Sequence, residues 1–201
     1  SQPEACDALF SQWQRSGGLT DELRWQRAKL AAEAGQYGLA SSLIRQLPGL
    51  THKGQLLVEV AQKPQLLKQT GKFVPADRQM ADVVGLGLRR MARQNPEQAI
   101  EWLEFYGNRQ PFSREEKVAI ARSIGLTLAK RFDARALKVM AQYDPELRDN
   151  TVSEWRTRLL LRLGRWNEAH ELTLKLPQEL ASTPRWRYWQ ARSLQLAQPQ
   201  N

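Results

Sequence analysis

The 201-residue chain has one cysteine, Cys6, and two histidines, His52 and His170. A lone thiol excludes an internal disulfide. The run Glu168-Ala169-His170-Glu171 lacks the second histidine one turn away that a helical zinc site needs, so no metal is expected and His170 reads as part of a solvated helix face. Nothing beside Cys6 lowers its thiol pKa, and Asp7 raises it, which argues against a Cys-His nucleophile. Glycine-rich phosphate loops are missing too. Gly85-Leu86-Gly87 falls inside a helix expected from near Asp77 with no preceding strand, where the glycines serve close helix contact. Asn-Gly and Asp-Gly hairpin turns are absent, as is sustained β-branched alternation. No apolar run approaches the roughly 18 residues of a membrane span. The start, Ser1-Gln2-Pro3-Glu4, lacks a signal region, so either the protein is cytoplasmic or a leader has been removed. The acidic pair Glu115-Glu116 sits where a helix begins and complements its dipole rather than forming an acid/base couple. No catalytic residue and no cofactor are expected.

What the chain does have is helix signal and positive charge. Its 41% apolar content suffices for a core, and its net charge of +9, with a pI near 10.0, favours anionic partners. The excess is spread: residues 1–100 carry 13 Lys+Arg against 9 Asp+Glu, and the remainder 17 against 12. No basic tail of the kind that binds nucleic acid exists.

One helix ending recurs, each time followed by a new helix whose first inward position is alanine. Ala34-Gly35-Gln36-Tyr37 leads to Ala40, Arg93-Gln94-Asn95-Pro96 to Ala99, Lys130-Arg131-Phe132-Asp133 to Ala136, and Leu163-Gly164-Arg165-Trp166 to Ala169. The last two intervals are 37 and 33 residues; the first, 59, leaves room for a degenerate copy restarting at Lys63-Pro64. Periods in the thirties belong to helical-hairpin solenoids. The pattern predicts helices at 3–16, 21–34, 37–47, 52–61, 64–70, 77–93, 96–106, 114–130, 133–143, 148–163, 166–176 and 184–197, an all-α solenoid of about six antiparallel pairs, read as one domain. Ser113 with Glu116 fits a capping box, Asn95-Pro96 and Thr183-Pro184 place a cap before a first-turn proline, and Gly35 and Gly164 fall where the chain reverses. Inward stripes are expected at Val152, Trp155, Leu159 and Leu163, and at Ile120, Ile124 and Leu128. Of the seven tryptophans, Trp13, Trp25, Trp102, Trp155 and Trp186 are assigned to the core between repeats. Arginines cluster at Arg89, Arg90 and Arg93 and again at Arg158, Arg162 and Arg165, where guanidinium forks suit the carboxylates of an acidic polymer.

Two segments carry a resemblance. Pro3-Glu4-Ala5-Cys6-Asp7-Ala8-Leu9-Phe10-Ser11-Gln12-Trp13 and Arg185-Trp186-Arg187-Tyr188-Trp189-Gln190-Ala191-Arg192 resemble parts of the α-superhelical U domain of the soluble lytic murein transglycosylases. Arg24 to Gly35, Gln79-Met80-Ala81 and Ala92-Arg93-Gln94 follow in matching order. The resemblance implies that residues 1–201 are an internal part of that domain, in a periplasmic protein that cleaves peptidoglycan glycan strands to 1,6-anhydromuramoyl ends. It implies that the linker domain and the lysozyme-like catalytic domain are absent here. The family's Glu-Ser and Gly-Leu-Met-Gln catalytic motifs do not occur, so the chain itself is expected not to be an enzyme. By the same resemblance Cys6 takes a position that pairs with a cysteine of a preceding segment. The implied partners are glycan strands and the linker and catalytic domains, with no nucleic acid and no membrane span, and with self-association through open solenoid ends. Candidate glycan-facing residues are Arg89, Arg93, Arg158, Arg162, Arg187 and Trp189. The alternative is a tetratricopeptide-like adaptor that binds protein in a concave groove, against which the irregular repeat spacing counts.

Overall fold

Thr20 opens the first described helix by accepting the Leu23 N–H on its hydroxyl at 3.2 Å, ahead of Asp21 and Glu22, whose charge suits the helix start. The computed structural model describes residues 20–198; Cys6, Trp13 and the segment from Pro3 to Trp13 lie outside them. Among the described residues the fold is all-α. Its helices are α1 (Asp21–Glu33), α2 (Tyr37–Ile44), α3 (Thr51–Gln62), α4 (Arg78–Gln94), α5 (Pro96–Gly107), α6 (Arg114–Lys130), α7 (Arg135–Tyr143), α8 (Asn150–Arg162), α9 (Trp166–Leu174), α10 (Gln178–Ala181) and α11 (Pro184–Ala197). They fall into two compact units, one ending at Arg90 and the other beginning at Met91.

Three of the four turns read from the sequence close in the same way. Gln36, Asp133 and Arg165 each donate their N–H five residues back, to Ala31, Leu128 and Leu160, at 2.8, 3.0 and 3.0 Å. This reversal needs a left-handed residue, supplied by Gly35 (φ 77°), Phe132 (φ 58°) and Gly164 (φ 67°). In the fourth, the Asn95 side chain accepts from Gln98 N–H at 3.0 Å ahead of Pro96. Ala40, Ala99, Ala136 and Ala169 are all fully buried. A methyl at that position lets each second helix come close to its neighbours.

In the first unit Trp25, Leu57, Leu67, Phe73 and Val84 are buried core residues. Asp82 of α4 accepts from Trp25 Nε1 at 2.7 Å and from Lys29 at 2.8 Å, which fixes α1 against α4. Gly87 lies where an added Cβ would stand 3.1 Å from Leu67, so this glycine does serve close packing. The segment expected as a helix at 64–70 consists instead of two 3-10 stretches, Pro64–Lys68 and Thr70–Lys72, held by bonds three residues apart. Gly71 and Pro75 leave too few residues to repay α-helix nucleation.

In the second unit α6 packs on α5, α7 and α8, and α9 packs on α8 and α11. Ile120, Ile124 and Leu128 are buried as expected. The α8 stripe is rotated from the expected one: Val152, Ser153, Thr157, Leu159 and Leu160 are buried, Trp155 is half-buried and Leu163 is 39% exposed. Contacts with α6, α7 and α9 together cover a wider face of α8 than a single stripe. Trp25 and Trp186 are core residues, whereas Trp102 and Trp155 are half-buried. His170 is not on a solvated face; it is half-buried with Nδ1 3.0 Å from Gln190 O.

Candidate glycan-facing surface

The six candidate residues meet different fates. Arg89 is half-buried on α4 and ion-paired with Glu33, while Arg90 donates to the carbonyls of Ala32 and Glu33 at 3.1 and 2.9 Å, occupying the C-terminal end of α1. Both arginines therefore tie α1 down. Arg158 donates to Glu154 at 3.1 Å, with its guanidinium 5.2 Å from the Trp155 ring centre; the other Glu154 oxygen accepts from Trp186 Nε1 at 3.3 Å. Trp189 is half-buried and edge-on to the exposed Tyr188 ring, and Arg187 is exposed on the same helix.

Arg93 and Arg162 are exposed at the ends of α4 and α8, and turn residues of the second unit link their neighbourhoods. Arg131 reaches Gln94 O at 3.4 Å, joining the α6–α7 turn to the α4–α5 turn. Arg162 lies over Phe132 at 5.2 Å, joining the α8–α9 turn to the α6–α7 turn. Lys130, Arg131 and Phe132 thus stand with Arg93 and Arg162 along one edge, and the sequence reading did not select those three. Their common turn position was already visible in the repeat alignment. It would have found them.

Two of the open clefts of this unit hold titratable groups that bear on chemistry. One of about 720 Å³ lies between the first turns of α6 and α8, and several of its charged groups are engaged within it: Arg122 pairs with Asp149, Arg148 with Glu146, and Asp144 accepts the Arg148 and Asp149 N–H groups. Glu115 in this cleft is held below the usual carboxylate range by its own backbone N–H and by Ser113. A general acid needs the opposite shift. The other cleft, of about 300 Å³, has Ile100, Leu103, Ile124 and Val139 in its lining, and the two share Tyr143, whose phenol is pushed up by burial and by Glu104. Among the described residues no group of three or more His, Cys, Asp or Glu stands ready to hold a metal, and no helix is long and apolar enough to cross a membrane.

The fold recurs in solved proteins. No family model matches the chain. The soluble lytic murein transglycosylase of Salmonella typhimurium is 30% identical over 198 residues, covering 95% of this chain and 30% of that protein. The crystal structure of an inactive mutant of the lytic transglycosylase Slt from Pseudomonas aeruginosa is 66% identical, with a TM-score of 0.95 over 100% of this chain and 33% of that one. The chain matches a segment of the soluble lytic murein transglycosylases. The 70 kDa soluble lytic transglycosylase of Escherichia coli shares the fold, at 24% identity and a TM-score of 0.72 over 97% of this chain. The chain thus spans about 30% of the length of the curated transglycosylases it matches. The turns, buried alanines and edge described above all belong to this transglycosylase-like segment.

Proposed function

We propose that residues 1–201 are a non-catalytic helical scaffold, part of one superhelical domain, in a periplasmic lytic transglycosylase, and that they help to position peptidoglycan glycan strands. The observation that carries this reading is the match along the whole chain, at 66% identity, to only 33% of the Pseudomonas Slt chain. In such a longer protein, the lysozyme-like domain contributes the cleavage, and it and the linker domain lie outside these residues. The absence of the catalytic motifs from the sequence supports this, as does Glu115, an exposed carboxyl held below its ordinary range rather than raised as a general acid needs. A net charge of +9 suits a wall polymer bearing carboxylates.

The test incubates the purified chain with isolated sacculi beside a basic protein of equal charge and size. Co-sedimentation above that control, with no soluble 1,6-anhydro muropeptides, is the expected result. Release of anhydro products would overturn the non-catalytic assignment. Sedimentation no greater than the control would overturn wall positioning in favour of a protein-binding adaptor.

A further inference from the structure

We infer that the turn edge of the second unit, formed by Arg93, Lys130, Arg131, Phe132 and Arg162, is a binding ridge for a carboxylate-bearing glycan strand, an inference that rests on the wall-positioning reading above. Charge is the first argument. All four cations are exposed, and among the described residues none is ion-paired with a carboxylate. Acidic residues do stand at these turns, but each is engaged elsewhere: Asp133 and Glu97 by Arg135, Glu168 by Arg165. The edge is therefore left with a surplus of guanidinium and ammonium groups, which attract a polyanion along its length.

Helix dipoles account for only part of this pattern. Arg93, Lys130 and Arg162 lie in the last turns of α4, α6 and α8, where a cation is favourable. Yet α1 ends in the same kind of reversal with no basic residue in its last turn. Neither Arg131 nor Phe132 is explained by the dipole.

Phe132 is the second argument. It occupies the left-handed position that Gly35 and Gly164 fill in the equivalent turns, and it does so with 51% of its surface exposed. A bulky residue in that conformation is strained, and the ring gains little burial in return. What the position achieves is display: an aromatic surface beside Arg131 and under Arg162. An aromatic face takes the C–H side of a sugar ring while the neighbouring guanidinium groups take its carboxylates. That combination selects an acidic glycan over a neutral one.

The test measures binding to glycan strands stripped of their stem peptides, which bear a free lactyl carboxylate on every muramoyl sugar, with neutral chito-oligosaccharides as the uncharged probe. One variant carries Arg93→Gln, Lys130→Gln, Arg131→Gln and Arg162→Gln. A control carries Arg45→Gln, Lys63→Gln, Lys68→Gln and Lys72→Gln, four exposed cations of the first unit. The edge variant is expected to bind the stripped strands about tenfold more weakly and the control less than about twofold more weakly. Phe132→Gly is expected to raise the melting temperature, by relieving the turn, and to weaken glycan binding. Equal losses in edge variant and control, or no loss in either, overturn the ridge while leaving wall positioning intact, because the parent still binds. Unchanged binding by Phe132→Gly overturns the aromatic part of the ridge. Failure of the parent to bind either stripped strands or sacculi overturns both readings. Displacement of bound strands by oligo(dT) at lower charge concentration than by free strands overturns the glycan assignment in favour of nucleic acid.

Discussion

Single atoms decide several positions in this chain, and two glycines inside helices show how. An added Cβ at Gly54 would stand 2.3 Å from Ile44 Cγ2, an atom fixed to a β-branched carbon, whereas at Gly87 the nearest atoms are the Leu67 δ-carbons at 3.1 and 3.2 Å. Ala in place of Gly gains about 1 kcal/mol of helix propensity at either site. At Gly54 overpacking exceeds that gain, so Gly54→Ala is expected to destabilise by about 1–2 kcal/mol in urea unfolding. At Gly87 the leucine ends can give way and the two effects nearly cancel. Equal losses for both variants would contradict this account of the Ile44 contact. Tyr106 supplies a second residue-scale test. Burial pushes its phenol from 10.0 up to about 12. The unfolded chain then ionises first, so the contribution of this group is complete below pH 10.0 and disappears as pH rises through about 12. Tyr106→Phe is expected to remove the latest component of the absorbance titration of tyrosinate and to flatten the alkaline loss of stability.

At the scale of elements, the helix starts carry side chains with more than one task. Asp149 accepts the Thr151 and Val152 N–H groups at 2.9 and 3.1 Å, and it also pairs with Arg122 of α6. Asp149→Ala removes the cap and the pair, with an expected loss of about 1–2 kcal/mol, while Asp149→Asn keeps an N-cap acceptor and loses less than about 0.5 kcal/mol. Urea midpoints of the two variants check this, and equal losses would shift the weight from cap to ion pair. Asp133 is held below its ordinary value of 3.8, chiefly by hydrogen bonding from Arg135. Its contribution is therefore present above pH 3.8 and is lost as pH falls through the lower folded-state value. Asp133→Asn is expected to flatten the acid limb of stability below that pH. Much at this scale was legible beforehand, because caps, glycine reversals and the small residue opening each second helix are local signals. Ala40, Ala99, Ala136 and Ala169 were found this way. What was not legible depended on distant partners: Arg89 meets Glu33 and Trp186 meets Glu154, and no spacing rule links either pair. The helix expected at 64–70 does not form because its apolar spacing suits α-helix while Gly71 and Pro75 just beyond it do not. Phe132 escaped notice because nothing local marks a phenylalanine as left-handed; only its alignment with Gly35 and Gly164 does.

At the scale of the whole molecule, the described helices of the second unit pack on near neighbours in sequence, and that predicts how damage spreads. In the second unit α6 packs on α5, α7 and α8, and Ile124 at its middle is fully buried. Ile124→Ala removes its outer methyl and methylene groups and leaves a cavity, at an expected cost of about 2–5 kcal/mol. In a solenoid, stability is close to a sum of repeat terms and nearest-neighbour interfaces, so the lesion should be felt locally. Hydrogen exchange of the variant is expected to quicken in α5 to α8 and to stay near the parent level in α1 and α3, which pack on α2 and on each other within the first unit. A uniform rise across all helices would show instead that the two units unfold as one cooperative body. The distinction bears on function, because a stack with local cooperativity can yield at the Arg93–Arg162 edge without loosening the α1–α4 ties made by Asp82 and Arg90. Glycan binding at that edge would then slow exchange in α6 and α8 first, and the same experiment repeated with stripped strands would reveal it.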